Sequence, residues 1–223
     1  MKRKLLTIAV LVIFVLTFSS LSLFAQGLDT VIGETGISLN GERQHIRTQE
    51  TNLGNLVCDV LRENTKADIA LYNGGGIRDS ADLGEITLED AMAILAFNNE
   101  VVTLMMSGQQ IWDALEHGLH EYPEVAGGFL QVSGLRFYFD PAKEAYNRVE
   151  KILVDGEEIN LRRHYVVAIN EFLAAGGDDY SVLEEAEQLK LFENTDQQMF
   201  IQHIQANSPL FPSVEGRIVI LRD

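Results

Sequence analysis

Four short groups of residues in this chain have the types and spacing to do chemistry. Arg43 and Arg47 stand four apart. A guanidinium can grip phosphate oxygens with two parallel hydrogen bonds, or it can simply pair with the carboxylates of an acidic surface. The run Asn73-Gly74-Gly75-Gly76-Ile77-Arg78 places three glycines before another arginine. Without side chains, such a backbone lets a ligand approach closely, although a plain tight turn with a surface arginine reads the same way. Phe97-Asn98-Asn99 closes an apolar stretch, where Phe97 would pack in the core and Asn98 would cap a helix end. The fourth group is the polar loop from Asn170 to Tyr180, with Phe172, Gly176, Gly177, Asp178 and Asp179. Phe172 can close over the core, or it can offer its face to a purine at about 1–3 kcal/mol per stacked base. Asp178 can accept from a sugar diol, or cap a helix near Ser181. Singly, none of the four decides.

Regular elements must hold these groups in place. Residues 26–50 read as an extended lead-in turning at Gly33, Gly36 and Gly41. Thr51 or Asn52 caps a helix to about residue 64, whose apolar face is Leu53, Leu56, Val57, Val60 and Leu61. The same face takes in Cys58 as a core residue. A buried strand over 68–71 leads into the glycine run. Thr87 caps a second helix, with Glu89 and Asp90 in its first turn where the helix dipole favours negative charge. A strand over 101–106 precedes a helix capped by Ser107. Strands follow over 130–140 and 149–154, with a turn at Asp155-Gly156, and then over 165–169. A helix over 196–206 and a strand over 217–221 close the chain. This irregular alternation predicts an α+β fold with mixed β-sheets and packed helices, in one domain over residues 26–223.

Composition narrows the function. Residues 1–25 carry Lys2, Arg3 and Lys4 ahead of an apolar run ending at Ala25. That is the layout of a signal peptide cleaved after Ala25; left uncleaved, the run would anchor the protein to a membrane. Either way the chain is expected to be exported, to the periplasm or outside the cell. Of its 17 Lys and Arg, three precede residue 26, leaving 14 against 33 Asp and Glu, a net charge of −19. A surface of that sign repels nucleic-acid backbones. A phosphorylated small molecule would therefore need a local arginine cluster. Cys58 is the single cysteine, so no intrachain disulfide forms.

Taken together, the segments decide what each alone does not. Glu50-Thr51-Asn52-Leu53-Gly54-Asn55-Leu56, Asn73 to Arg78, Phe97, Phe172 to Asp178 and the closing Val214-Glu215-Gly216-Arg217-Ile218 occur in one order. That order and spacing resemble the C-terminal, substrate-binding domain of the 5'-nucleotidase and UDP-sugar hydrolase family, over about residues 28–221. The resemblance implies that Phe97 and Phe172 sandwich a nucleobase, Asp178 binds the ribose hydroxyls, and Arg43, Arg47 and Arg78 reach phosphate. It places Asn73 and Asn99 near base or sugar, with Gly75, Gly76 and Gly177 completing the site. Two positions depart from the family pattern: Asn98 and Asp179 stand where glycine is common.

Family members hydrolyse phosphate esters with two metal ions held by an N-terminal domain. Its Asp-x-His and Gly-Asn-His-Asp/Glu segments do not occur in these 223 residues. His117 and His120 share a helix face and read as surface residues. The chain is therefore expected to carry no metal cofactor. Divalent metals would belong to a separate metallophosphatase chain acting with it. The alternative is a stand-alone protein that binds a nucleotide or nucleoside without catalysis.

Overall fold

The computed structural model describes residues 27–221; the expected signal segment and its cleavage after Ala25 lie outside them. The helices begin where the sequence places its caps. Helix α1 is a single turn, Arg43–Ile46. Helix α2, Asn52–Thr65, starts at Thr51, whose hydroxyl accepts from Gly54 N at 3.0 Å. Three more helices open with reciprocal side-chain and backbone bonds: α3, Leu88–Ile94, on Thr87 and Asp90; α4, Gly108–Gly118, on Ser107 and Gln110; and, after two short turns of helix described below, the long helix near the C-terminus on Thr195 and Gln198. Such boxes satisfy amide donors that have no partner inside the helix.

Between them lie β1 (Val31–Thr35), β2 (Ile69–Asn73), β3 (Gly84–Thr87), β4 (Val101–Ser107), β5 (Leu130–Ser133), β6 (Leu135–Phe139), β7 (Val149–Val154), β8 (Glu157–Glu158) and β9 (His164–Asn170). Short helices α5 (Glu171–Ala174) and α6 (Ser181–Glu184) follow, then β10 (Glu187–Leu191), the long helix α7 (Asp196–Asn207) and β11 (Ile218–Ile220). The central sheet runs β10-β4-β9-β2-β5, with β9 and β2 parallel and the other neighbours antiparallel. A second sheet runs β11-β6-β7-β8, and β1 pairs with β3. Alternate residues of β2 enter two different cores. Ile69 and Leu71 pack with α4 and the second sheet, whereas Ala70 and Tyr72 pack with α2, α3 and α7. A sheet covered on both faces explains why its strands read as unbroken apolar runs. The mixed-sheet α+β architecture is as expected.

Three local readings need correction. The apolar run 130–140 is two strands in two sheets, divided at Gly134, whose φ is +78° and where a Cβ would lie 2.1 Å from Asp68 O. Gly33 is no turn: it sits within β1 at a register shift, where a Cβ would meet Ile204 Cγ2 at 2.6 Å. Strand β10 went unread because none of its residues is buried. It lies at the sheet edge, with a register shift between Gln188 and Lys190.

The segment from Glu50 to Asn55 proves to be scaffold. Asn52 Oδ1 accepts from Asn40 N at 2.9 Å, and its Nδ2 donates to Ser38 O. Asn55 donates to Glu50 Oε1 at 2.6 Å and to Ser213 O, and Glu50 also accepts from the amides of Glu215 and Ile218. Fully buried Gln131 accepts from Thr51 N and donates to Ile46 O and Gln49 O, so it ties the Arg43–Arg47 segment to β5. Gly54 leaves room for that amide, since a Cβ there would lie 2.3 Å from Gln131 Oε1. Gly54→Ala is expected to destabilise the fold by about 1–3 kcal/mol, read as a lowered urea midpoint with an unchanged slope.

Cys58 faces the same core with no exposed surface, and burial pushes its thiol well above the ordinary range. Reactivity belongs to the thiolate. The native domain is therefore expected to resist iodoacetamide at pH 8 and to be alkylated promptly once unfolded in urea. Rapid labelling without denaturant would show that α2 opens in the native state.

Candidate functional site

The expected site residues converge. Arg47, Asn73, Gly75, Gly76, Arg78, Phe97, Asn99, Phe172 and Asp178 line one cavity of about 270 Å³, together with Gly127. Each comes from the end of an element. Arg47 closes α1, and Asn73 ends β2 before the 3-10 turn Gly74–Gly76. Phe97 and Asn99 lie between α3 and β4, while Phe172 and Asp178 lie in the two short turns after β9. The glycine turn is held from across the cavity floor: Gly74 N donates to Phe129 O at 2.7 Å, and Gly75 N to Gly127 O at 2.8 Å. A Cβ on Gly75 would lie 3.1 Å from Gly127 Cα. Both glycines permit that approach.

Arg47 is 6% exposed, and its Nε has no hydrogen-bond partner. Burial, followed by repulsion from Arg43 and Arg78, pulls its pKa below the usual guanidinium range, with Asp178 opposing. The cavity thus contains a desolvated cation with an unused Nε donor, which is the electrostatic condition for receiving an anion. Arg43 is exposed and does not line the cavity; its charge acts on Arg47 from outside. Arg78 donates to Gly75 O at 3.3 Å, and its guanidinium lies 5.5 Å from the centre of the Phe97 ring.

The opposite wall is a chain of amides ending in a carboxylate. Asn170 caps α5 by accepting from Leu173 N and donates to Asn73 Oδ1 at 3.0 Å. Asn73 in turn donates to Asp178 Oδ2 at 2.8 Å. The backbone of Asp178 has φ +52°, and His117 Nε2 meets its carbonyl at 2.8 Å. Left-handed backbone outside glycine is costly and persists where its surroundings fix it. Asp178 does not cap α6, whose N-cap is Tyr180 with no side-chain cap bond. A Cβ on Gly127 would stand 3.6 Å from Asp178 Oδ1, so glycine at that position keeps the carboxylate approachable.

Phe97 does not pack in the core: it is 60% exposed, and Phe172 is 46% exposed. Helix α3 ends at Ile94 with Leu95 as its C-cap, so Asn98 is not the cap. Asn98 and Asp179, both standing where glycine is common, have φ of +51° and +63°. Asn and Asp tolerate that region better than other residues, which accounts for both departures. Gly177 lies beneath the ring of Phe172, where a Cβ would be 2.5 Å from Cζ. It shapes the wall without lining the cavity. His117 and His120 are half-buried rather than on the surface, with stacked rings 4.7 Å apart. Among the described residues, no three His, Cys, Asp or Glu side chains are grouped to hold a metal ion. Gly127 also lines the cavity, although no sequence motif marks it.

Comparison with known proteins identifies the family. The family model described as "5'-nucleotidase, C-terminal domain" matches residues 31–185. The chain belongs to the 5'-nucleotidase C-terminal domain family. It is 36% identical over 197 residues to the trifunctional nucleotide phosphoesterase protein YfkN of Bacillus subtilis, and 33% identical over 210 residues to the snake venom 5'-nucleotidase of Crotalus adamanteus. Each match covers 84% of this chain but only 14% and 36% of those relatives. The crystal structure of a 5'-nucleotidase precursor from Thermus thermophilus superposes with a TM-score of 0.84 at 34% identity, over 94% of this chain and 42% of that one. This chain spans less than half the length of each of those larger proteins.

Proposed function

We propose that this 5'-nucleotidase C-terminal domain is an exported nucleotide-binding unit. It supplies substrate specificity to a phosphohydrolase whose metal chemistry resides on a separate metallophosphatase chain. One observation supports the reading above the others: the buried Arg47, whose Nε has no hydrogen-bond partner, shares a cavity with two exposed phenylalanines and the Asp178 carboxylate. In this reading Phe97 and Phe172 enclose the base, and Asp178, held by Asn73, accepts from the ribose hydroxyls. Arg47 and Arg78 bind the phosphate. The domain's contribution to rate is then positioning. The N-terminal Lys2-Arg3-Lys4 and the apolar run after it support export to the periplasm or beyond.

The test is a calorimetric titration with AMP and then adenosine. Saturable binding that is tighter for AMP is expected. Failure of both ligands to bind would overturn the reading. Equal affinity would remove the phosphate from it.

A further inference from the structure

The cavity wall that carries Phe97 and Asn99 is fastened from behind by the first residues of α7. Asp196 N donates to Asn99 O at 2.9 Å, Gln197 Nε2 donates to Leu95 O at 2.9 Å, and the Thr195 hydroxyl donates to Asn98 Oδ1. At the centre is the side chain of Asp196, which has no exposed surface. Its Oδ2 accepts from Tyr72 OH at 2.8 Å and from Asn99 Nδ2 at 3.1 Å, and its Oδ1 accepts from Gln197 N at 2.6 Å. No cation within ion-pairing distance of it occurs among the described residues. Burial pushes its carboxyl above the ordinary carboxylate range, while hydrogen bonds from Tyr72, Asn99 and Gln197 oppose that rise.

A buried carboxylate without a counter-ion is a costly way to fill space. It does, however, something that no neutral side chain of its shape does. An ionised carboxylate only accepts, so every neighbour must present a donor. Asn99 must turn its nitrogen toward Asp196, which leaves Oδ1 as the atom free to face the cavity that Asn99 lines. An amide at position 196 would accept or donate equally and would leave Asn99 two orientations. We propose that Asp196 is a positioning residue for base recognition: by fixing the Asn99 amide, it makes the site prefer a base whose edge offers an amino or ring N–H donor. This rests on the nucleotide reading above and adds to it a determinant of base choice.

The experiment compares AMP with purine riboside 5'-monophosphate, which lacks the 6-amino group, by calorimetry on the full chain. The wild-type protein is expected to bind AMP about 3- to 10-fold more tightly, the range of one neutral hydrogen bond. In Asp196→Asn that ratio is expected to fall to about one, with AMP still bound. Thr195→Ala loosens the same loop without touching the amide, and is expected to weaken both ligands alike with the ratio kept. A loss of ratio in both variants would reduce Asp196 to a structural support and overturn the proposal. So would a ratio preserved in Asp196→Asn. If Asp196→Asn does not fold, the ratio is read in Asn99→Ala, where its survival overturns the assignment. Absence of AMP binding by the wild-type protein is a different outcome, and it removes the nucleotide reading itself.

Discussion

Replacing Arg47 with methionine is expected to lower AMP affinity about 10- to 100-fold while leaving adenosine affinity within about twofold. Hydrogen bonds to charged groups contribute roughly 1.5–3 kcal/mol, and each 1.4 kcal/mol is a factor of ten. The selectivity follows from where the charge sits: Arg47 is buried in the cavity with a free Nε, whereas Arg43 is out in solvent. The same substitution is expected to leave the melting temperature unchanged or higher. Arg47 holds a desolvated cation beside two others, and methionine retains most of its aliphatic packing without that penalty. A site kept for stability would behave in the opposite way. Calorimetry with the two ligands and a thermal melt together decide it; an equal loss for AMP and adenosine would move Arg47 from the phosphate to the scaffold.

Phe172→Ala is the complementary case. Stacking on a base is worth about 1–3 kcal/mol, so affinity for AMP and for adenosine is expected to fall together, by about 5- to 100-fold. Stability should change little, because Phe172 is 46% exposed. Unchanged AMP affinity would end the stacking assignment. The two variants thus separate the two ends of the ligand, one by its charge and the other by its π face.

Why so much of the site was legible in the sequence can be traced to particular residues. Thr51, Thr87 and Ser107 announce helices because hydroxyl caps act over three or four residues, a range visible in one dimension. The three glycines before Arg78 and the pair before Asp178 mark close backbone approaches in the same local way. What stayed hidden depends on distant partners. Gly33 resembles a turn residue until Ile204, far along the chain, is seen against it. Gly134 looks like an interruption in one strand, yet the carbonyl of Asp68 requires glycine where the chain leaves one sheet for another. Asp196 reads as an ordinary first-turn acid, and only the fold places Tyr72 and Asn99 on its carboxylate. Arg43 went the other way. Its spacing to Arg47 suggested a shared role, but one turn of helix ending in a buried Ile46 leaves it outside the cavity.

The bare edge strand β10 bears on how such a domain endures at high concentration. A regular unpaired edge is a template that another copy can extend, and chains with one tend to zip into fibres. Here the outermost strand carries Glu187 and Lys190, and its pairing slips between Gln188 and Lys190. An arriving strand would find neither an even ladder nor an uncharged flank. Leu189 and Leu191 can therefore lie open to water without inviting aggregation.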